Sequence, residues 1–238
     1  MIVRQPFFIE PGRTLGPHYI VEGSLGSGWE GEVYRVRERR TGIIRAAKIF
    51  YDQKGVREAP FLRYARKLYK LKSCPIIIQY HHHDSVQIES RRFDFLVSDF
   101  VEGEVLSDFL NRQPHYRLSH FEALHLIYSM AIGLEQIHHL GEYHGDIHSD
   151  NVMVKRIGIG FDVHLIDFFD LGRSTKAKIQ NDVINLVSVF YDVIGRQNYY
   201  SEAPEQIKRI IQGRKRRLIS AKYKNAGQLR IALENLQW

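Results

Sequence analysis

Eight consecutive residues carry the clearest chemistry in this chain: His144-Gly145-Asp146-Ile147-His148-Ser149-Asp150-Asn151, followed at once by the apolar run Val152-Met153-Val154. An Asp followed five residues later by an Asn, at the entrance to a short strand, suits phosphoryl transfer. The carboxylate reaches the hydroxyl that attacks a terminal phosphate, and the amide oxygen reaches a Mg²⁺ across those phosphates. One short loop presents both. The spacing alone is a weak signal, because Asp and Asn are ordinary loop residues, and its weight comes from what else the chain holds.

The N-terminal half supplies a matching anion site. Gly26-Ser27-Gly28-Trp29-Glu30-Gly31 is a G-x-G-x-x-G with Val33 two positions on. Tyr19-Ile20-Val21 before it and Val33-Tyr34-Arg35-Val36 after it have strand composition. Glycines without Cβ atoms let the backbone approach phosphates closely. A dinucleotide-binding fold needs a helix directly after the loop; here Thr41-Gly42 turns the chain into a third strand over 43–50. Lys48 lies on that strand, where burying a cation is costly without a partner. Phosphate oxygens are such a partner; the plain alternative is an exposed edge-strand lysine.

With Leu165-Ile166-Asp167-Phe168 there are four ordered signals: glycine loop, strand lysine, catalytic loop and metal-binding segment. Together they resemble a eukaryotic-like Ser/Thr protein kinase domain of the kind also found in bacteria, from about residue 18 to the C-terminus. The form HGDIH, with His148 where protein kinases usually carry Lys, is similar instead to aminoglycoside and choline phosphotransferases. The resemblance implies an α+β, bilobal fold. It predicts an N-terminal extension over 1–17, an antiparallel β-sheet N-lobe with one helix over 18–100, and a mainly helical C-lobe over 101–238. It implies ATP and Mg²⁺ as cofactors. Asp146 is then the catalytic base or hydroxyl-positioning group, with His148 at the transferred phosphate and Asn151 and Asp167 on the metal. Gly26, Ser27, Gly28, Gly31 and Lys48 would hold phosphates. Val33, Ala46 and Met153 would sandwich the adenine, and Asp99 and Val101 would offer it hinge backbone groups beside a small gatekeeper, Ser98. His144 is expected to pack on Phe168, and Asp182 to brace the catalytic loop.

Three departures qualify the resemblance. The helix acid that usually pairs with the strand lysine falls at Tyr64, which cannot make a charge-assisted pair; Glu58 lies about a turn and a half too early. Lys48 is therefore expected to be oriented by another acid or by the nucleotide. Phe169 stands where the metal-binding segment usually has Gly, which removes easy access to positive φ and predicts a segment fixed in one state. Only residues 168–181 separate Asp167 from Asp182, too few for an activation loop and its A-P-E anchor. Ala203-Pro204-Glu205 reads as the start of a later helix, with Pro at its first turn. Rio-type kinases are similar in lacking that segment. The reading is a protein serine/threonine kinase without activation-loop control, acting on ATP and a protein substrate. The alternatives are a small-molecule kinase and a nucleotide-binding scaffold.

The 238 residues suit one or two small domains. Cys74 is the single cysteine, which excludes a disulfide framework and fits a reducing cytoplasm. No apolar run approaches a membrane span, and the first residues lack a signal-peptide pattern. The net charge is +7, with a late basic cluster at Arg214-Lys215-Arg216-Arg217, Lys222 and Lys224. A basic face suits nucleic acid, an acidic protein or a phosphorylated partner. A solvated helix C-terminus, which favours cations, is the preferred reading over nucleic acid. Periodicity predicts helices over 57–72, 106–111, 121–140, 182–195, 205–212 and 227–236, and strands over 76–80 and 93–100. His81-His82-His83 point in different directions along an extended chain, which disfavours a metal site.

Overall fold

The computed structural model describes residues 7–28, 30–51, 60–168 and 172–237. They divide into two compact units: residues up to 72 with 78–101, and residues 73–77 with 102 onward. Glu58 and Phe169, on which two sequence expectations rest, lie outside the described residues.

The first unit is built on strands β1 (Thr14–Leu15), β2 (Tyr19–Ser27), β3 (Gly31–Glu38), β4 (Ile44–Phe50), β5 (Tyr80–Ile88) and β6 (Arg91–Asp99), with one helix, α1 (Pro60–Lys70). All neighbours pair antiparallel, in the order β1-β2-β3-β4-β6-β5. Side chains alternate between the faces of a strand. Tyr34, Val36, Ala47 and Ile49 therefore enter one core with Val21, Phe95 and Val97, while Val33, Ala46 and Lys48 occupy the opposite face. Ile9 and Leu15 belong to the same core.

The strand expected over 76–80 is displaced. The chain becomes a strand only at Tyr80 and continues through the histidines to Ile88, turning into β6 at Glu89, whose φ is 54°. Val86 and Ile88 supply the buried face, and the polar histidine run hid the alternation. Ile76 and Ile77 serve the second unit instead, where Ile77 bridges Leu165 and the Ile76 carbonyl accepts the Leu165 N–H.

The second unit holds β7 (Glu104–Val105), α2 (Leu106–Asn111), α3 (His120–His139), β8 (Val152–Ile157), β9 (Gly160–Leu165), α4 (Lys176–Val193), α5 (Arg196–Tyr200), α6 (Glu205–Ile211), α7 (Arg216–Lys222) and α8 (Ala226–Glu234). β7, β8 and β9 form a small antiparallel sheet. Ser119 and Glu122 close a capping box that starts α3. α4 begins six residues before the expected Asp182, where Thr175 caps it by accepting the Lys178 N–H. α5 and α7 were not legible in the periodicity, being five and seven residues long. Among the described residues no helix is long and apolar enough to cross a membrane.

Candidate active site

In the first unit the pairing of Val33 with Lys48 and of Ala46 with Ser98 gathers the residues expected around a nucleotide. Gly31 has a packing reason of its own: a Cβ there would collide with the Ile49 carbonyl on β4. Gly26 and Gly28 face open space, and Ser27 ends β2 opposite Glu32. The Gly28 N–H donates to the Gly31 carbonyl at 2.8 Å, so the loop closes on itself. Lys48 Nζ lies 3.1 Å from Glu30 Oε2, with side chains 11% and 20% exposed. The Tyr64 ring centroid is 5.0 Å from the same nitrogen. An acid of the glycine loop thus contacts Lys48 where the helix presents an aromatic face. At the end of β6 the Asp99 carboxylate accepts from Arg45 at 3.0 Å and from the Gln79 N–H at 3.3 Å, and contacts His81 Nε2 at 2.5 Å. Ser98 is buried and Val101 half-buried.

The second unit holds the catalytic-loop residues. Asn151 is buried, and its Nδ2 lies 2.9 Å from the Asp146 carbonyl, 3.1 Å from Asp146 Oδ2 and 2.9 Å from His148 Nε2. Two amide hydrogens serve at most two of these at once; each bond leaves Oδ1 as the atom for a cation. The Asp146 side chain is 49% exposed, so its other oxygen is available to an incoming hydroxyl. His148 is 45% exposed and sits between two acids, 3.5 Å from Asp146 Oδ2 and 3.4 Å from Asp150 Oδ2. Met153 follows on β8, half-buried.

Hydrogen bonds pin this loop to Asp167. The Ile166 N–H donates to the Asn151 carbonyl at 3.0 Å. Buried His144 stacks on Phe168 with centroids 4.4 Å apart. Its Nδ1 accepts the Asp146 N–H, which places the proton on Nε2, the donor to the Ile166 carbonyl at 3.0 Å. Asp167 itself has φ 55°, uncommon outside glycine and a form of strain found at functional sites.

Asp182, fully buried on α4, accepts the His144 and Gly145 N–H groups at 2.7 and 2.9 Å. His138 completes the brace. Its Nδ1 accepts the Ala226 N–H, and its Nε2 faces Asp182 Oδ2 at 3.3 Å. Glu30 and His138 are the two contributors that sequence reasoning missed. An acid at a loop tip and a histidine at a helix end have no diagnostic spacing. Tyr143 and Lys178 tie down the short link ahead of α4: Tyr143 donates to the Gly172 carbonyl at 2.9 Å, and Lys178 to the Arg173 carbonyl at 2.8 Å.

The donor set fits Mg²⁺ and a nucleotide. Among the described residues no group of three or more His, Cys, Asp or Glu side chains could hold a metal ion. An amide oxygen and one carboxylate nevertheless suit a hard cation that takes its remaining ligands from water and phosphate. Lys48 already holds an anionic oxygen. In the histidine run, Tyr80 engages His83 and Asp99 engages His81.

Residues 19–217 match the protein kinase domain family. Serine/threonine-protein kinase pkn2 of Myxococcus xanthus is 32% identical over 197 residues, 81% of this chain and 22% of that protein. Serine/threonine-protein kinase drp72 of Corynebacterium efficiens is 26% identical over 149 residues, 61% of this chain and 28% of that protein. The chain therefore spans about a quarter of the length of these two relatives. The crystal structure of a mutant form of the Mycobacterium tuberculosis PknI kinase domain superposes with a TM-score of 0.66 at 18% identity, covering 95% of this chain and 98% of that one. That likeness shows the fold, an antiparallel-sheet unit with a mainly helical one.

Proposed function

This chain belongs to the protein kinase domain family, and on that premise we propose that it transfers the terminal phosphate of ATP to serine or threonine hydroxyls of a protein, without activation-loop control. The observation that carries the reading is the Asp146–Asn151 loop. One amide fixes the Asp146 backbone and carboxylate while leaving its oxygen to a cation. Bound Mg²⁺ would neutralise charge on the phosphates, held by Asn151 and Asp167. Asp146 orients the acceptor hydroxyl and takes its proton as the new P–O bond forms and the bond from the terminal phosphorus to the bridging oxygen breaks, releasing ADP. Lys48 and the glycine loop orient the phosphates, and Val33 and Ala46 pack on the adenine. Asp99 and Val101 offer it backbone groups. His148 contacts the transferred phosphate from beside Asp146.

The test is phosphate transfer from labelled ATP, comparing the unaltered chain with Asp146→Ala and Asp167→Ala. Labelled protein in the first, with each substitution lowering the rate at least about a hundredfold, is the expected result. Label appearing only on an added aminoglycoside or choline would make the acceptor a small molecule. ATP binding with no transfer to anything would make the chain a nucleotide-binding scaffold.

A further inference from the structure

Between Gln206 and Leu233 the sequence holds nine lysines and arginines and no aspartate or glutamate. Elsewhere several arginines are matched: Arg35, Arg37, Arg45 and Arg156 meet carboxylates within 3.2 Å. Among the described residues of the late stretch only Arg209 and Arg230 pair with acids, and the Arg209 contact is a long 3.9 Å between exposed side chains. Four others bond to neutral oxygens: Lys208 to the Ser201 carbonyl, Arg216 to Asn181, Lys222 to the Arg209 carbonyl and Lys224 to the Ser220 carbonyl. Residues 213–217 are all exposed. Burial, and then the Arg209 charge, hold the Lys222 ammonium below the usual lysine range.

The solvated C-terminal cap expected from the sequence describes only part of the cluster, since Lys222 lies in the last turn of α7. Arg214–Arg217 runs into the N-terminus of α7, the end where a helix disfavours cations. Four of the cluster's six cations thus gain nothing from the helix they lead into. Gln180 of α4 donates to the Ser220 and Tyr223 carbonyls and joins this face to α4. Beside it lies a cavity of about 870 Å³ lined by Lys176, Lys224, Gln228, exposed Ile231 and Glu135, whose carboxylate is paired with Arg230. Lys176 opens α4, six residues before the Asp182 that braces the catalytic loop, about 9 Å along the axis. The segment that usually positions a peptide is missing, since eight residues lead from Asp167 to α4.

We propose that this face, from Arg209 through α7 to Lys224 and Lys176, docks an acidic segment of the protein substrate. The inference rests on the protein kinase reading and names the chemistry of its substrate. Charge complementarity fixes the occupant as acidic. Protein is favoured over nucleic acid because no exposed aromatic side chain occurs among described residues 206–237 for bases to stack on, whereas exposed Leu218 and Ile231 offer apolar anchors.

The test uses fluorescent peptides around one serine, flanked by Asp and Glu or by Asn and Gln, together with an oligonucleotide of similar length. Anisotropy is read on the full chain without ATP, and phosphorylation kinetics with it. The acidic peptide is expected to bind about tenfold tighter than its amide counterpart and to weaken as salt rises. Lys215→Glu with Arg217→Glu should erase that preference, raising KM for the acidic peptide with kcat held. Acids suit a helix N-terminus, and circular dichroism checks the fold. The milder Lys215→Gln with Arg217→Gln should give an intermediate loss. Equal binding of the two peptides overturns the proposal, and so does oligonucleotide binding that is tighter than the acidic peptide and lost in the same variants. Preferential peptide binding with no phosphate transfer sinks the kinase reading and leaves the docking face standing, because anisotropy reads the surface alone.

Discussion

Glu30 and the phosphates of ATP need the same cation. With Glu30 Oε2 at 3.1 Å and both side chains mostly buried, a nucleotide that engages Lys48 meets a carboxylate already there. Two like charges do not share one ammonium cheaply. Glu30→Gln is therefore expected to tighten Mg–ATP binding about threefold to tenfold, measured by calorimetric titration on an Asp146→Ala background that prevents turnover. A weaker Kd would show instead that Glu30 stays in place and orients Lys48 for the nucleotide. At this scale the sequence is informative about which chemistry is present and less so about who holds whom. Tyr64 signals that the usual position of the charge pair holds no carboxylate, because its phenol cannot replace one. That Glu30 reaches Lys48 depends on how the loop folds over β3 and β4, which spacing does not encode. Gly31 reads as a phosphate glycine in sequence, yet the structure adds a second demand on it, the close approach of Ile49.

Elements with strong periodicity were legible, and those defined by polar ends were not. The third strand, α2 and α3 lie where the pattern puts them within a residue or two, while β2 runs on to Ser27. α4 was cut short because Lys176, Lys178, Gln180 and Asn181 precede its apolar face, and β5 was displaced because histidines occupy its first turns of alternation. Two predictions belong here. Asp182 accepts two backbone N–H groups and faces His138, with no exposure. Asp182→Ala leaves those donors unpaired in the interior and should destabilise the chain by about 3 kcal/mol or more, read by urea unfolding; a change under about 1 kcal/mol would show that water replaces the carboxylate. His120, at the first position of α3, is held below the ordinary histidine range by burial, then by Arg117. Its Nε2 is buried without a partner. Because the folded pKa is depressed, His120 contributes stability above the unfolded value near about 6.5, lost as pH falls through the folded one. The melting temperature should drop between about pH 7.5 and 5.5, less steeply in His120→Gln. Parallel slopes would clear His120 of any part in it.

At the scale of the whole chain, the first unit depends on residues that precede its recognisable strands. Ile9 lies in the core with Leu15. The Phe7 N–H donates to Glu32 Oε1 at 2.6 Å, and the Ile9 N–H donates to the Tyr34 hydroxyl at 3.3 Å. Tyr34 and Tyr51 donate to the same Glu32 carboxylate, and burial together with that bond pushes the Tyr34 phenol up to about 12. Glu32 is buried and directly follows Gly31 of the glycine loop, so the leading segment supports the strand that carries the phosphate residues. Residues 1–17, with Pro6, Pro11, Gly12, Gly16 and Pro17, read only as an extension and gave no hint of this role, since a single isoleucine and backbone donors have no period. Removing residues 1–13 takes Ile9 out of the core, worth about 2–3 kcal/mol for a buried isoleucine, and strips a donor from a buried carboxylate, about 1–3 kcal/mol more. The loss should fall on one unit. Scanning calorimetry of the truncated chain is then expected to resolve an early transition that Mg–ATP raises, ahead of a second one unmoved from the full chain. A single transition shifted as a whole would mean that the two units unfold together, and an unshifted one that the leading segment contributes nothing to either.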